Sequence, residues 1–255
     1  MTLSYCWGPD ATKWLTTTKA TLDKNLCDGL PYHLPKTLED AVTVCRKIGI
    51  RFLWVDALCI IQDDETDMLD QISNMGSIYK NSTITIAVAS AGTVSDGFLI
   101  NLKVIQPVAQ LPLFMAAGSP PGTIFLRERN KDPMDGSSEP WFSRGWTLQE
   151  LVLSPRIILF DSCQIALKCH PFNFEPVLPN WLEIDSGKFK ARNGIFGLEQ
   201  TSSKFYTVHF TNQDTLGERS SMWQDLVKEY SRRNLSYLKD RLPALAGVAS
   251  ELAKH

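Results

Sequence analysis

The sequence predicts an α/β fold, a mostly parallel sheet with flanking helices, and three observations predict it. Three short apolar runs, Thr2 to Trp7, Ile50 to Ile61 and Thr83 to Ser90, read as buried strands. Two stretches of helical periodicity separate them, giving strand, helix, strand, helix, strand, the order that right-handed crossovers produce. The chain has 255 residues, 44% of them hydrophobic, which suits one large globular domain or a domain with a substantial appendage.

Thr2 to Trp7 ends at Gly8-Pro9, where a strand would open into a loop. After Pro35-Lys36, the residues Leu38, Ala41, Val42, Cys45 and Ile48 recur at helical spacing, with Thr37 and Asp40 set for a capping box and Gly49 for the stop. Ile50 to Ile61 (IRFLWVDALCII) is interrupted only by Arg51 and Asp56, as in a strand covered on both faces. The next helix carries Met68, Leu69, Ile72, Met75 and Tyr79 on one face. Its approach, Asp63-Asp64-Glu65-Thr66-Asp67, places negative charge at the positive end of the helix dipole. The β-branched TITIAVAS, Thr83 to Ser90, is the third strand.

Residues 91 to 140 are rich in glycine and proline and read as an inserted loop region with one strand at Thr123 to Arg127. GWTLQEL then starts a helix that Pro155 breaks, and Arg156 to Phe160 with Gln164 to Cys169 reads as a hairpin. Residues 171 to 215 are polar and weakly periodic. In the tail, Met222, Trp223, Leu226, Val227 and Tyr230 share a helix face, and Pro243 suits the first turn of a closing helix. The expected organisation is a core at 1–170 with its insertion at 91–140, and a partly helical extension at 171–255 packed on the same domain.

Lys and Arg total 26 against 28 Asp and Glu, a net charge of -2, so no global field recruits nucleic acid or an anionic membrane. The six cysteines show no CxxC pair, and reduced, buried thiols fit better than a disulfide framework or a zinc site. No apolar run reaches the roughly 18 residues of a membrane helix, and no signal-peptide pattern opens the chain. The expectation is a cytoplasmic protein, with the sequons at Asn81 and Asn234 as chance matches.

In open parallel sheets, ligands bind outside the carboxyl ends of the strands. That rim would receive Tyr5, Cys6, Trp7 and Gly8 from the first strand, Asp56 and then Cys59, Gln62 and Asp63 from the second, and Ser90 from the third. The GWTLQEL helix would add Arg144, Trp146 and Glu150, the last two one turn apart on one helix face. Asp56, alone in an apolar run, needs a hydrogen-bonding or ionic partner, and Arg144 is a candidate; the pair reads as structural or as a ligand contact. Trp7 and Trp146 read as core or as an aromatic wall, and Glu150 as helix surface or as a ligand-binding carboxylate. The sequence has no GxGxxG, P-loop, HExxH or nucleophile elbow. Its four histidines lie in loops or at the terminus, against a Ser-His or Cys-His hydrolase.

Three blocks in order, LSYCWG at Leu3 to Gly8, LWVDALCIIQDDETDMLDQISNMGSIY at Leu53 to Tyr79 and SRGWTLQELVLSPRIILF at Ser143 to Phe160, resemble the fungal heterokaryon-incompatibility (HET) domain. The tail YSRRNLSYLKDRLPALAGVA, Tyr230 to Ala249, is similar to the segment that follows that domain. Family members carry residues ahead of the first block, which implies a short form or a trimmed start here. The resemblance implies a part in non-self recognition, where such domains trigger cell death after incompatible strains fuse, with an upstream recognition protein as partner.

WTLQEL also resembles the tryptophan-x-x-x-glutamate of Toll/interleukin-receptor (TIR) domains, parallel α/β folds of which some hydrolyse NAD through that glutamate. The implied architecture is TIR-like or flavodoxin-like, with Glu150 catalytic and Tyr5, Trp7, Gly8, Asp56, Gln62, Arg144 and Trp146 around the substrate. NAD would be substrate, with no cofactor and no metal. One carboxylate suffices for that chemistry: nicotinamide leaves as a neutral base, whereas an ordinary glycosidic leaving group must be protonated by a second acid. Two other expectations stand beside it. One is a non-catalytic death-signalling adaptor acting by homotypic assembly, which an enzyme of this type could also require as a homo-oligomer. The other is a metal-dependent hydrolase using Asp56 with the acids at 63–67.

Overall fold

The β-branched run at 83–90 becomes an interior strand of a five-stranded sheet. The computed structural model describes residues 1–10, 14–99, 109–113, 122–126, 139–162, 165–169, 172–176 and 216–254. The elements in chain order are β1 (Thr2–Ser4), α1 (Lys19–Asp28), α2 (Lys36–Ile48), α3 (Asp56–Cys59), α4 (Glu65–Lys80), β2 (Thr85–Val88), β3 (Ala109–Leu113) and β4 (Gly122–Leu126). There follow a 3-10 turn at Pro140–Ser143, α5 (Trp146–Leu153), β5 (Arg156–Phe160), β6 (Ile165–Cys169), β7 (Phe172–Pro176), α6 (Leu216–Tyr230), a second 3-10 turn at Leu238–Arg241, and α7 (Pro243–Leu252).

The sheet order is β1-β2-β5-β6-β7. β1, β2 and β5 are parallel, and Trp54 adds a single parallel bridge to Thr2 at the edge. β6 and β7 continue the sheet antiparallel, the first pairing Arg156 with Cys169 and Phe160 with Ile165 as a hairpin partner of β5. The fold is therefore mixed α/β with a parallel half and an antiparallel half. β3 and β4 form a separate antiparallel pair within the insertion, β4 falling where a strand is predicted. β7 lies in a polar stretch whose pattern gives no strand signal.

Both faces of the parallel half are covered, and β2 shows how. Ile86 and Val88 point into a cluster with Leu38, Ala41 and Val44 of α2. Ala87 and Ala89 point the other way, toward Leu151 of α5 and Trp141. Large residues on one side and alanines on the other let Trp141, which is fully buried, come close to the sheet.

Several expectations need correction. Ile50–Ile61 is not a strand: it holds two isolated bridges, Trp54 to Thr2 and Ile61 to Thr17, and between them Asp56–Cys59 closes into one helical turn. A short apolar run does not by itself distinguish the two, and here the Asp56 carboxylate accepts from the Ala57 amide at 2.7 Å, at the turn's start. Thr37 and Asp40 form no capping box. Thr37 donates to the Thr93 carbonyl, and Asp40 accepts from the amides of Phe98 and Leu99, so both hold the 93–99 loop against α2. Gly49 ends α2 in the left-handed region as expected, at φ 80° and ψ 22°. On α4 the buried side is Met75, Gly76 and Tyr79, while Leu69 is exposed. Cys6 and Cys45 are buried free thiols, but Cys27 and Cys59 are exposed.

The tail packs on the core. Leu226 and Val248 join Leu153, and Tyr230 and Ala244 join Leu148. α7, opened by Pro243 at its first turn, crosses both α4 and α5. Among the described residues, no helix is long and apolar enough to cross a membrane.

Candidate functional site

β1 ends at Ser4, and the chain continues through Tyr5, Cys6 and Trp7 to Gly8, whose φ of 94° favours glycine. A side chain at Gly8 would also meet Thr93 at 2.8 Å. The Tyr5 carbonyl accepts from the Arg144 guanidinium. Beside it, the Trp7 indole donates to Asp56 at 2.9 Å and meets Trp14 edge-on at 5.1 Å. Gln62 is turned to the backbone, donating to the carbonyls of Asp56 and Ile60, so it braces the α3 turn. Burial pushes the Asp56 carboxyl up; Arg144, the Ala57 amide and Trp7 pull it back. Burial, reinforced by Asp56, also raises the Tyr5 phenol well above its ordinary range.

Arg144 is held from behind. The Gly145 amide donates to the Asn234 carbonyl at 2.7 Å, and the Asn234 amide returns a bond to Ser143 at 2.6 Å. Arg233 reaches the Arg144 carbonyl and the Thr147 hydroxyl. A Cβ on Gly145 would lie 2.5 Å from the Leu235 side chain, which would have to shift to admit it. The tail thus sets the backbone that aims Arg144.

Glu150, in the middle of α5, is 6% exposed. Ser4 donates to its Oε2, and Ser4 in turn accepts from the Trp141 indole at 2.6 Å. Tyr79 of α4 lies beside the carboxyl and donates its own proton to the Leu3 carbonyl at 3.0 Å. Burial pushes Glu150 up to about 7, with the Ser4 hydrogen bond opposing, Asp56 adding and Arg144 opposing. The residue is therefore divided between acid and carboxylate near neutral pH.

The fold thus brings Tyr5, Trp7, Gly8, Asp56, Gln62, Arg144 and Glu150 to the carboxyl end of β1. Trp146 goes elsewhere: its indole donates to Asp240 at 3.2 Å, and its ring packs with Leu148, Tyr230 and Ala244. Helical spacing put it one turn from Glu150, but the docked tail claims it. Sequence reasoning missed Ser4, Tyr79 and Trp141. A signal for Ser4 was present, because period two along LSYC puts Ser4 and Cys6 opposite Leu3 and Tyr5, leaving a hydroxyl on a buried face.

The acids at 63–67 serve the backbone. Asp63 accepts from the Lys19 amide, Asp64 caps α4 through Thr66 and Asp67, and Asp67 accepts from the Ile61 amide. No group of three metal-ligating side chains occurs among the described residues. An apolar groove lined by Met1, Phe52, Trp54 and Ile78 runs along the sheet edge and includes none of the candidate residues.

The sequence pattern of the family described as heterokaryon incompatibility protein (HET) matches residues 1–150, more than half of the chain. The chain is 22% identical over 169 residues to the vegetative incompatibility protein HET-E-1 of Podospora anserina, covering 62% of this chain and 9% of that protein. It is 26% identical over 190 residues to the heterokaryon incompatibility protein 6, OR allele, of Neurospora crassa, covering 59% of this chain and 27% of that one. It therefore spans less than a third of either relative. No solved structure matches it at a significant level.

Proposed function

This chain belongs to the heterokaryon incompatibility (HET) family, and we propose that it is a cell-death effector of fungal incompatibility that hydrolyses NAD through Glu150. The biological role rests on the relatives named for vegetative and heterokaryon incompatibility. The reaction rests on one observation above the others: a buried carboxyl, held by Ser4 and titrating near neutrality, at the carboxyl end of a parallel strand. The similarity of WTLQEL to the TIR motif supports it as analogy.

In this reading the bond from the ribose anomeric carbon to nicotinamide breaks and its electron pair leaves with nicotinamide. The Glu150 carboxylate stabilises the positive charge that develops on the sugar. Water adds to that carbon and loses a proton, giving ADP-ribose. Trp7, half-buried beside Asp56, offers a ring for stacking, and Arg144 a cation for the diphosphate.

The test is nicotinamide release by the purified chain, free and concentrated by a crowding agent, for wild type and Glu150→Gln. Release by wild type and its loss in a folded Glu150→Gln protein supports the reading. A wild type that is inactive in every assembled state overturns it. A second reading, a death-signalling adaptor acting by homotypic assembly, is favoured by the exposed Tyr237, Leu238 and Leu242 around the second 3-10 turn. It expects Glu150→Gln to signal normally.

A further inference from the structure

We infer that Ser4 is the positioning residue of this site, directing its hydroxyl proton onto Glu150 and so favouring the carboxylate form of that side chain against its burial. The inference rests on Glu150 as the reacting carboxylate for its functional meaning, but its geometry stands independently.

A serine hydroxyl has one proton to give and lone pairs to receive with, while an indole N–H can only donate. The Trp141 indole donates to Ser4 Oγ at 2.6 Å, which fixes Ser4 as acceptor on that side. Its proton must point elsewhere, and Glu150 Oε2 is its hydrogen-bond partner. Ser4 is 1% exposed and Trp141 fully buried, so water does not compete for either group. Tyr79, the other hydroxyl beside Glu150, donates to the Leu3 carbonyl at 3.0 Å and favours the Glu150 charge less than Ser4 does.

The remaining groups facing the carboxyl come from every side. Asp56 from α3 disfavours its charge, Arg144 ahead of α5 favours it, and Tyr5 and Cys6 beyond β1 feel Glu150 in return. Burial alone drives Glu150 toward the neutral acid, the wrong form for stabilising a sugar cation. Of the groups opposing burial, Ser4 is the strongest. A purely packing role for Ser4 would leave the titration of Glu150 unmoved, whereas a directed proton would not.

The experiment follows the Glu150 carboxyl carbon by NMR over a pH titration of the full chain, labelled at glutamate and assigned by Glu150→Gln. Wild type is compared with Ser4→Ala, with Ser4→Cys, a near-isosteric weak donor, and with Ser4→Thr, which restores the hydroxyl. The midpoint is expected to rise by about one pH unit in Ser4→Ala, for loss of one hydrogen bond to a charged group, and to return toward wild type in Ser4→Thr. Ser4→Cys should fall between. An unchanged midpoint in either folded Ala or Cys variant overturns the proposal. Nicotinamide release measured alongside separates the two readings. A shifted midpoint with an inactive wild type defeats the hydrolase and keeps the positioning role. An active wild type with an unshifted midpoint defeats the positioning role alone.

Discussion

Gly76 and Gly247 face each other where α4 and α7 cross, and a Cβ built on Gly76 would lie 3.0 Å from the Gly247 Cα. The same crossing lets the Gly247 amide donate to Gln149 at 2.9 Å, one residue before Glu150. The tail is therefore keyed to the helix that carries the candidate carboxylate.

Gly247→Ala should destabilise the chain by about 1–3 kcal/mol, because its methyl would meet Gln149 Oε1 at 2.6 Å and the facing Gly76 backbone at 3.0 Å. Urea unfolding of the full chain measures this, and a variant as stable as wild type would contradict the crossing.

Glu150→Gln should alter the pH dependence of stability. Burial raises the folded-state pKa from 4.5 to about 7, so between those values the folded chain keeps a proton that the unfolded chain has lost. Wild-type stability therefore falls as pH rises through that window, by about 3 kcal/mol at roughly 1.4 kcal/mol per pH unit, and stays reduced above it. Unfolding free energies at pH 5 and pH 7.5 should differ more in wild type than in Glu150→Gln.

Lys168, buried on β6 and donating to the Leu151 carbonyl at 2.9 Å, predicts the opposite slope. Burial lowers its pKa from 10.5 to about 8, so between pH 8 and 10.5 the unfolded chain holds the extra proton. Its contribution becomes more favourable as pH rises through that window. The stability of wild type relative to Lys168→Met should climb from pH 8 to pH 10; a flat difference would place the amine in contact with water.

Trp146→Phe removes the indole bond to Asp240 while keeping an aromatic ring against Tyr230 and Ala244. A stability loss of about 0.5–1.5 kcal/mol is expected, with the KM of any NAD turnover unchanged. A KM that rises several-fold in a folded variant would return Trp146 to the substrate site.

The legible parts of the fold are those that short-range chemistry dictates. Gly49 ends α2 because only a residue tolerant of positive φ continues the chain there. Pro243 opens α7 because its missing amide costs nothing in a first turn. The β5–β6 hairpin follows from two apolar runs about the Asp161-Ser162 turn. Ile50–Ile61 was not legible, since a twelve-residue apolar run satisfies strand and helix patterns alike, and the pairing of Trp54 with Thr2 and Leu3 limits its extended part. The capping box failed because Thr37 and Asp40 found partners in the distant 93–99 loop.

The candidate site divides the same way. Glu150, Arg144, Asp56 and Trp7 could be selected because charged and aromatic residues in apolar blocks need a partner or a purpose. By itself the sequence determined the α/β class, the alternation that covers both faces of β2, and the three blocks that carry the family. Only the tertiary structure decided that Ser4 and Trp141 hold Glu150, that Asn234 sets the backbone of Arg144, and that Trp146 belongs to the tail. Periodicity states which way a side chain points from its own element. Which group waits there depends on how elements more than a hundred residues apart are packed, as Ser4 and Glu150 are.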